Sequence, residues 1–130
     1  MSVRAAAVAG MFYPREPAKL VGEISEFLDQ ADEDRLTPGF PKIIIVPHAG
    51  YIYSGAVAAH AYDLLRPARG IVRRVVLMGP CHGVAVRGLA LPGAEAFDTP
   101  LGRIPVDAEA EKLARTLPQV CVMSATHAQE

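Results

Sequence analysis

Several features are scarce in this sequence, and each absence argues against a class of protein. The 130 residues include only two cysteines, Cys81 and Cys121, which are too few for the disulfide framework of a small secreted domain. No run of lysine and arginine occurs, and a formal net charge of −1 gives no electrostatic footprint for nucleic acid or a membrane surface. No apolar run approaches the roughly 20 residues that span a bilayer. We therefore expect a cytoplasmic protein that binds neither nucleic acid nor membranes.

The length and composition are those of one folded domain. Hydrophobic residues make up 51% of the chain and charged residues 21%, which is ordinary for a soluble globular protein. No repeat, low-complexity tract or linker divides the sequence. We predict a single α/β domain over residues 1–130, with a mainly parallel sheet flanked by helices.

The first predicted helix runs from about Pro17 to Gln30. Leu20, Ile24, Phe27 and Leu28 recur at helical spacing, and the proline stands in the first turn, where it is tolerated. We expect the helix to fade in the polar stretch ADEDRLTPG that follows.

Two short apolar runs predict buried strands, at Lys42–Val46 and Arg73–Gly79. Both are rich in β-branched residues and do not alternate with polar ones, as is typical of strands covered on both faces. Between them, Ser54 is a candidate N-cap for an alanine-rich helix over about Gly55–Leu65. Strand, helix and strand in this order predict a right-handed parallel crossover.

Smaller elements are predicted after the second strand. Thr99–Gly102 has the composition of a turn between two short strands. Asp107 is a candidate cap for a helix that ends at about Leu117, with Leu113 and Leu117 facing inward. A last apolar run, Val120–Met123, predicts a third strand.

A histidine follows each of the three apolar runs. His48 comes after the first run, His82 after the second and His127 after the third. Ligands of open α/β sheets bind beyond the carboxyl ends of the strands, so side chains placed there can converge across long sequence separations. Imidazoles at such positions either bind a divalent metal or transfer protons near neutral pH. Both roles are open on the residue pattern alone.

Other residues near these histidines have competing interpretations. The phenols of Tyr51 and Tyr53 are candidates for binding a substrate oxygen, with simple packing as the alternative. His60 lies inside the alanine-rich helix, where a solvated or packed role is expected. Cys81 adjoins His82, but neighbouring side chains on an extended backbone point apart, which disfavours a thiol nucleophile. Cys121 is expected in the core.

Five motifs in order along the chain resemble the Memo family. They are VAGMFYP, PHAGYIYSG, GPCHG, FDTPLG and the closing ATHAQE. Bacterial and archaeal members of this family are called AmmeMemoRadiSam system protein B. The resemblance covers essentially the whole chain, and PHAGYIYSG is its most specific part.

The resemblance implies a fold like that of the class III extradiol dioxygenases, the LigB-type non-haem iron enzymes. It implies that His48 and His82 are metal ligands for iron(II) or another divalent transition metal. His127 is then a catalytic pocket histidine that moves a proton or holds a substrate oxygen. The ligand expected from the resemblance is a small aromatic compound or a peptide.

The family resemblance also implies that the chain corresponds to the N-terminal part of a Memo-like domain. Family members are about twice as long, and their third metal ligand is expected beyond the segment matched here. We therefore expect an incomplete sheet, and a chain that is either a fragment or closes its site by associating with another chain. An exposed edge beside Val120–Met123 predicts self-association.

A non-catalytic function is the alternative. In that interpretation the same cleft recognises a protein or peptide. The family name links these proteins to an AMMECR1-like protein and a radical-SAM enzyme, which are the expected partners.

Overall fold

The two longer helices lie in one part of the chain, and the short strands lie in the other together with one short α-helix. The computed structural model describes residues 2–31 and 39–130. These residues group into two compact units, Gly10–Val75 and the combination of Met1–Ala9 with Val76–Glu130. We call them the helical unit and the strand unit and describe each by itself. The sequence-based prediction of one domain over the whole chain stays a prediction.

The helical unit is built on α1 (Pro17–Gln30) and α2 (Tyr51–Asp63). The bounds of α1 confirm the prediction, and the proline stands at its first position because a missing N–H costs nothing there. Leu20 of α1 is buried, and Phe27 packs against Gly55, the small residue that lets α2 approach. The apolar face predicted for α1 is therefore the face that packs against α2.

The second helix begins earlier than predicted. Gly50 is the N-cap of α2, and the main-chain N–H of Tyr51 donates to the carbonyl of Phe12 at 2.7 Å. Ser54 lies inside the first turn, and its hydroxyl donates to the Ala49 carbonyl at 2.9 Å. Its predicted role as N-cap was therefore wrong, because this hydroxyl serves as a donor to a preceding carbonyl and not as an acceptor for a helical N–H.

The strand unit contains a three-stranded sheet in the order β1 (Val3–Arg4), β3 (Ala96–Thr99) and β4 (Gly102–Pro105). Strand β1 pairs with β3 in parallel, whereas β3 and β4 form an antiparallel hairpin. The turn predicted at Thr99–Gly102 is confirmed, with the Thr99 hydroxyl donating to the Gly102 carbonyl at 2.7 Å.

A second, two-stranded sheet joins β2 (Leu89–Leu91) and β5 (Val120–Val122) in parallel. The third apolar run is thus confirmed as a strand. Gly88 leads into β2 with a φ of +83°, and a Cβ there would collide with the carbonyl oxygen of Gln119. Only glycine combines this backbone conformation with such a close approach.

Helix α3 (Ala108–Ala114) begins as predicted and ends early. Asp107 accepts hydrogen bonds from the main-chain N–H groups of Glu109 and Ala110 at 3.1 and 3.0 Å, which confirms its capping role. The prediction that Leu113 and Leu117 face inward was wrong, since both are exposed. Helical spacing identifies an apolar face, but a face is buried only where another element covers it.

The two strands predicted at Lys42–Val46 and Arg73–Gly79 are not formed. Both segments are irregular, and Ile45 and Leu77 are 93% and 86% exposed. A β-branched run shows that a segment suits a buried strand, whereas a strand also needs a neighbouring backbone to complete its ladder. No such ladder reaches these segments within the described ranges 2–31 and 39–130. The predicted crossover was therefore wrong as well.

The α/β class itself is confirmed. The described residues form three α-helices, and two of their three strand pairings are parallel. In place of one mainly parallel sheet, these pairings are divided between two small sheets. None of the helices in the described part of the chain is long and apolar enough to cross a bilayer.

Candidate functional site

The carboxylate of Glu130 holds His82 at two points. The main-chain N–H of His82 donates to Oε1 at 2.7 Å, and ring atom Nδ1 lies 2.7 Å from Oε2. A carboxylate only accepts hydrogen bonds, so Nδ1 carries a proton in this contact. The main-chain bond first, and the ring bond second, lower the pKa of Glu130 because both favour its charged form.

A hollow of about 350 Å³ lies beside the His82 loop. Cys81, Gly83 and Glu130 form part of its wall, together with the segment around Thr126. The Cys81 thiol lies 3.7 Å from the carbonyl oxygen of Thr126, which accepts its weak hydrogen bond. This volume is at the small end of the range for ligand sites.

His127 is held through its ring and its main chain. Ring atom Nε2 lies 2.9 Å from the carbonyl of Ala90 in β2, and that carbonyl can only accept, so Nε2 donates. The main-chain carbonyl of His127 accepts from Nε of Arg4 at 2.7 Å. The guanidinium of Arg4 and the imidazole also face the Phe97 ring, at 5.2 and 6.5 Å from its centroid. Because Nε2 is engaged with Ala90, Nδ1 is the ring nitrogen to which the predicted proton transfer would fall. That role stays a prediction.

A second hollow, of about 370 Å³, opens beside His127. Ser2, Arg4 and Ser124 contribute to its lining. The predicted catalytic histidine thus lines an open hollow of the strand unit.

His48 belongs to the helical unit, whereas His82 and His127 belong to the strand unit. His48 is exposed and stands two residues before Gly50, the N-cap of α2. The predicted meeting of the His48 and His82 rings at one metal stays a prediction.

The two tyrosines predicted to bind substrate have different surroundings. The Tyr51 ring packs at 5.8 Å from Tyr13 and 6.3 Å from Phe27, measured between ring centroids. Partial burial is the main cause that raises the pKa of the Tyr51 phenol. Tyr53, two residues along the same helix, is exposed. Their role in binding substrate stays a prediction.

The described residues do not bring together a complete set of metal-binding side chains. Within residues 2–31 and 39–130, no group of three His, Cys, Asp or Glu side chains is arranged to hold a metal ion. The imidazoles of His48 and His82 are the donor type that iron, copper and zinc accept. Both oxygens of Glu130 are engaged by His82, which suits an orienting role better than ligation.

Glu130 is the site residue that sequence reasoning missed. It is 48 positions from His82, and the sequence singled it out only as the final residue of the ATHAQE motif. The signal available was an acidic residue within a motif that resembles the family. Nothing in the spacing indicated which histidine it would contact.

The chain matches the sequence profile of a known family. The profile of the family described as "Memo-like protein" matches residues 4–130. The chain belongs to the Memo family.

Curated Memo proteins resemble this chain across most of its length. It is 40% identical to "Protein MEMO1" of Danio rerio over 107 residues, covering 82% of this chain and 34% of that protein. It is 41% identical to a "MEMO1 family protein" of Methanothermobacter thermautotrophicus over 123 residues, covering 87% of this chain and 43% of the relative. A "MEMO1 family protein" of Aquifex aeolicus is 36% identical over 109 residues, which cover 84% of this chain and 38% of the relative. The chain therefore spans less than half the length of these relatives.

Proposed function

We propose that this Memo-family chain provides a histidine-lined metal site of the non-haem iron, dioxygenase-like kind. His48 and His82 are the proposed ligands, and iron(II) or another divalent transition metal is the proposed ion. The observation that carries the proposal is the setting of His82. Its side chain is 59% exposed, and the loop that bears it borders a hollow of about 350 Å³. A ring so placed is accessible to an ion and to a small ligand together.

The chemistry proposed for the site follows from the resemblance to LigB-type enzymes. A metal bound there would supply open coordination positions for oxygen and a small aromatic substrate. The protein's own contributions are to hold the imidazoles and, through His127, to accept or return a proton. The third protein ligand is proposed to lie in the part of the family domain that this chain does not span. Two imidazoles alone are expected to hold iron(II) weakly, since iron(II) stands low in the affinity order.

The test is the metal content of purified protein. We expect the variant with both His48→Ala and His82→Ala to bind less metal than the natural chain at equilibrium with added iron(II), a condition under which a weak site is still measured. His60→Ala is the matched control, because this exposed histidine lies on α2 away from either motif. Equal metal content in the natural chain, the double variant and the control would end the proposal.

A second candidate function is a non-catalytic module that binds a protein or peptide. Its supporting observation is the exposure of large apolar side chains such as Ile45 and Leu77, because exposed apolar surface is typical of sites that bind other proteins. Oxygen uptake with catechol-like compounds separates the two candidates. Turnover that is lost with the histidines supports the metal enzyme, whereas capture of an AMMECR1-like or radical-SAM protein that survives their loss supports the module.

A further inference from the structure

Glu130 makes an unusual contact for a half-exposed histidine. Its two carboxylate oxygens bind two different parts of one residue, Oε1 the main-chain N–H and Oε2 the ring, each at 2.7 Å. A simple surface ion pair joins only the tips of two side chains and leaves both free to rotate. Here, rotation of the imidazole about its Cβ–Cγ bond would break the ring contact while the main-chain contact kept the carboxylate in place. The pair therefore fixes the direction of the ring as well as its position.

The carboxylate is better shielded than the ring it holds. The side chain of Glu130 is 28% exposed, against 59% for His82, and Glu130 belongs to the wall of the hollow beside the loop. Cys81, next to His82, is hydrogen-bonded to the carbonyl of Thr126 from the same terminal segment. Two contacts from one segment thus hold consecutive residues of the GPCHG loop.

The contact also decides where the ring proton is. Because the carboxylate accepts, the neutral imidazole carries its proton on Nδ1 and its lone pair on Nε2. A histidine binds a metal through a ring nitrogen that has a lone pair, and the hydrogen bond made by the other nitrogen selects which one that is.

We propose that Glu130 is a positioning residue for His82, which holds the neutral imidazole as the Nδ1–H tautomer and presents Nε2 as the metal-binding atom. The importance of this role for metal binding rests on the function proposed above. The tautomer itself does not, since the contact involves only groups of this chain.

The first test is nitrogen NMR of His82 in metal-free protein at a pH where the imidazole is neutral. We expect the natural chain to show a protonated Nδ1 and an unprotonated Nε2. In Glu130→Gln the amide oxygen can keep only one of the two bonds, and in Glu130→Ala neither remains, so both variants should show a mixture of tautomers. An Nε2–H tautomer in the natural chain would overturn the proposal, and that measurement requires no variant to fold.

The matched control is Glu95→Gln. Glu95 Oε2 also accepts a main-chain N–H, from Ser2 at 2.6 Å, so it makes the same kind of contact away from the histidine. We expect this variant to leave the His82 signals unchanged. If Glu95→Gln shifted the tautomer as much as Glu130→Gln does, the effect would be general and the specific role of Glu130 would be refuted.

The second test is metal affinity. Loss of a partner that orients a metal-binding histidine typically costs about 10–100-fold in affinity, and we expect a fall of that size in Glu130→Gln. An altered tautomer with unchanged affinity would refute the positioning role. If the natural chain bound no metal, the proposed function would fail, while the NMR result would still decide the tautomer.

Discussion

The ring of Phe27 occupies the space beside Gly55 where any other residue would place its Cβ. An ideal Cβ at position 55 would stand 2.5 Å from ring atom Cε2, inside the contact limit of two carbon atoms. This relationship joins α1 to α2 and sets how closely the two helices approach.

Gly55→Ala is therefore expected to destabilise the protein although alanine is the better helix former. We expect overpacking to cost about 1–3 kcal/mol, which exceeds the gain of about 1 kcal/mol from helix propensity. Urea denaturation measures the change in the free energy of unfolding.

Gly22→Ala in α1 is the matched control. Nothing lies within 4 Å of its added methyl group, so we expect it to stabilise by about 0.5–1 kcal/mol. The packing explanation would be contradicted if both variants stabilised the protein equally.

The cap of α3 provides a second prediction. Asp107→Ala removes the acceptor for two main-chain N–H groups and is expected to lower the free energy of unfolding by about 1 kcal/mol. Asp107→Asn retains a side-chain oxygen and should lose only a small part of this. Equal losses in the two variants, measured by thermal unfolding, would show that charge and not the cap is responsible.

The pKa of Glu130 provides a prediction with a defined sign. Its folded pKa lies below the ordinary value of 4.5, so its contribution to stability is present above pH 4.5 and is lost as the pH falls through the lowered value. The carboxyl carbon signal of Glu130, followed by NMR against pH, measures this directly. His82→Ala keeps the main-chain hydrogen bond and loses the ring hydrogen bond. In this variant the pKa of Glu130 should rise part of the way back to 4.5. A natural-chain pKa at or above 4.5 would contradict the contact.

The exposed apolar segments predict self-association. Ile45 lies in an irregular segment whose backbone can accept another strand, and its side chain is 93% exposed. We expect sedimentation to show association that increases with concentration and is reduced in Ile45→Lys. Ile52→Lys is the control, because Ile52 is 85% exposed but lies on α2, whose backbone is already hydrogen-bonded. A monomer at every concentration would refute the prediction.

Local signals in the sequence predicted much of the fold. The proline and apolar spacing of α1, the cap at Asp107 and the turn at Thr99–Gly102 each depend on residues a few positions apart, and each is confirmed. The strands expected at Lys42–Val46 and Arg73–Gly79 depended on distant partners, and periodicity does not identify a partner. The same limit explains Leu113, whose helical spacing indicated an apolar face without showing what would cover it.

The candidate site follows the same division. The sequence indicated His82 through its place after an apolar run and within GPCHG. It did not indicate Glu130, because a contact across 48 positions has no periodic signature. The placement of His48 beside His82, expected both from the residue pattern and from the family resemblance, remains a prediction.

The register of β1 has a consequence for how the chain is made. Val3 pairs with Ala96 and Arg4 with Phe97, so the first strand leaves the ribosome long before its neighbour has been translated. Closing a loop of this size carries a large entropic cost before any ladder bond is gained. Nascent chains that stall before residue 96 should therefore keep Val3 and Arg4 open to proteases.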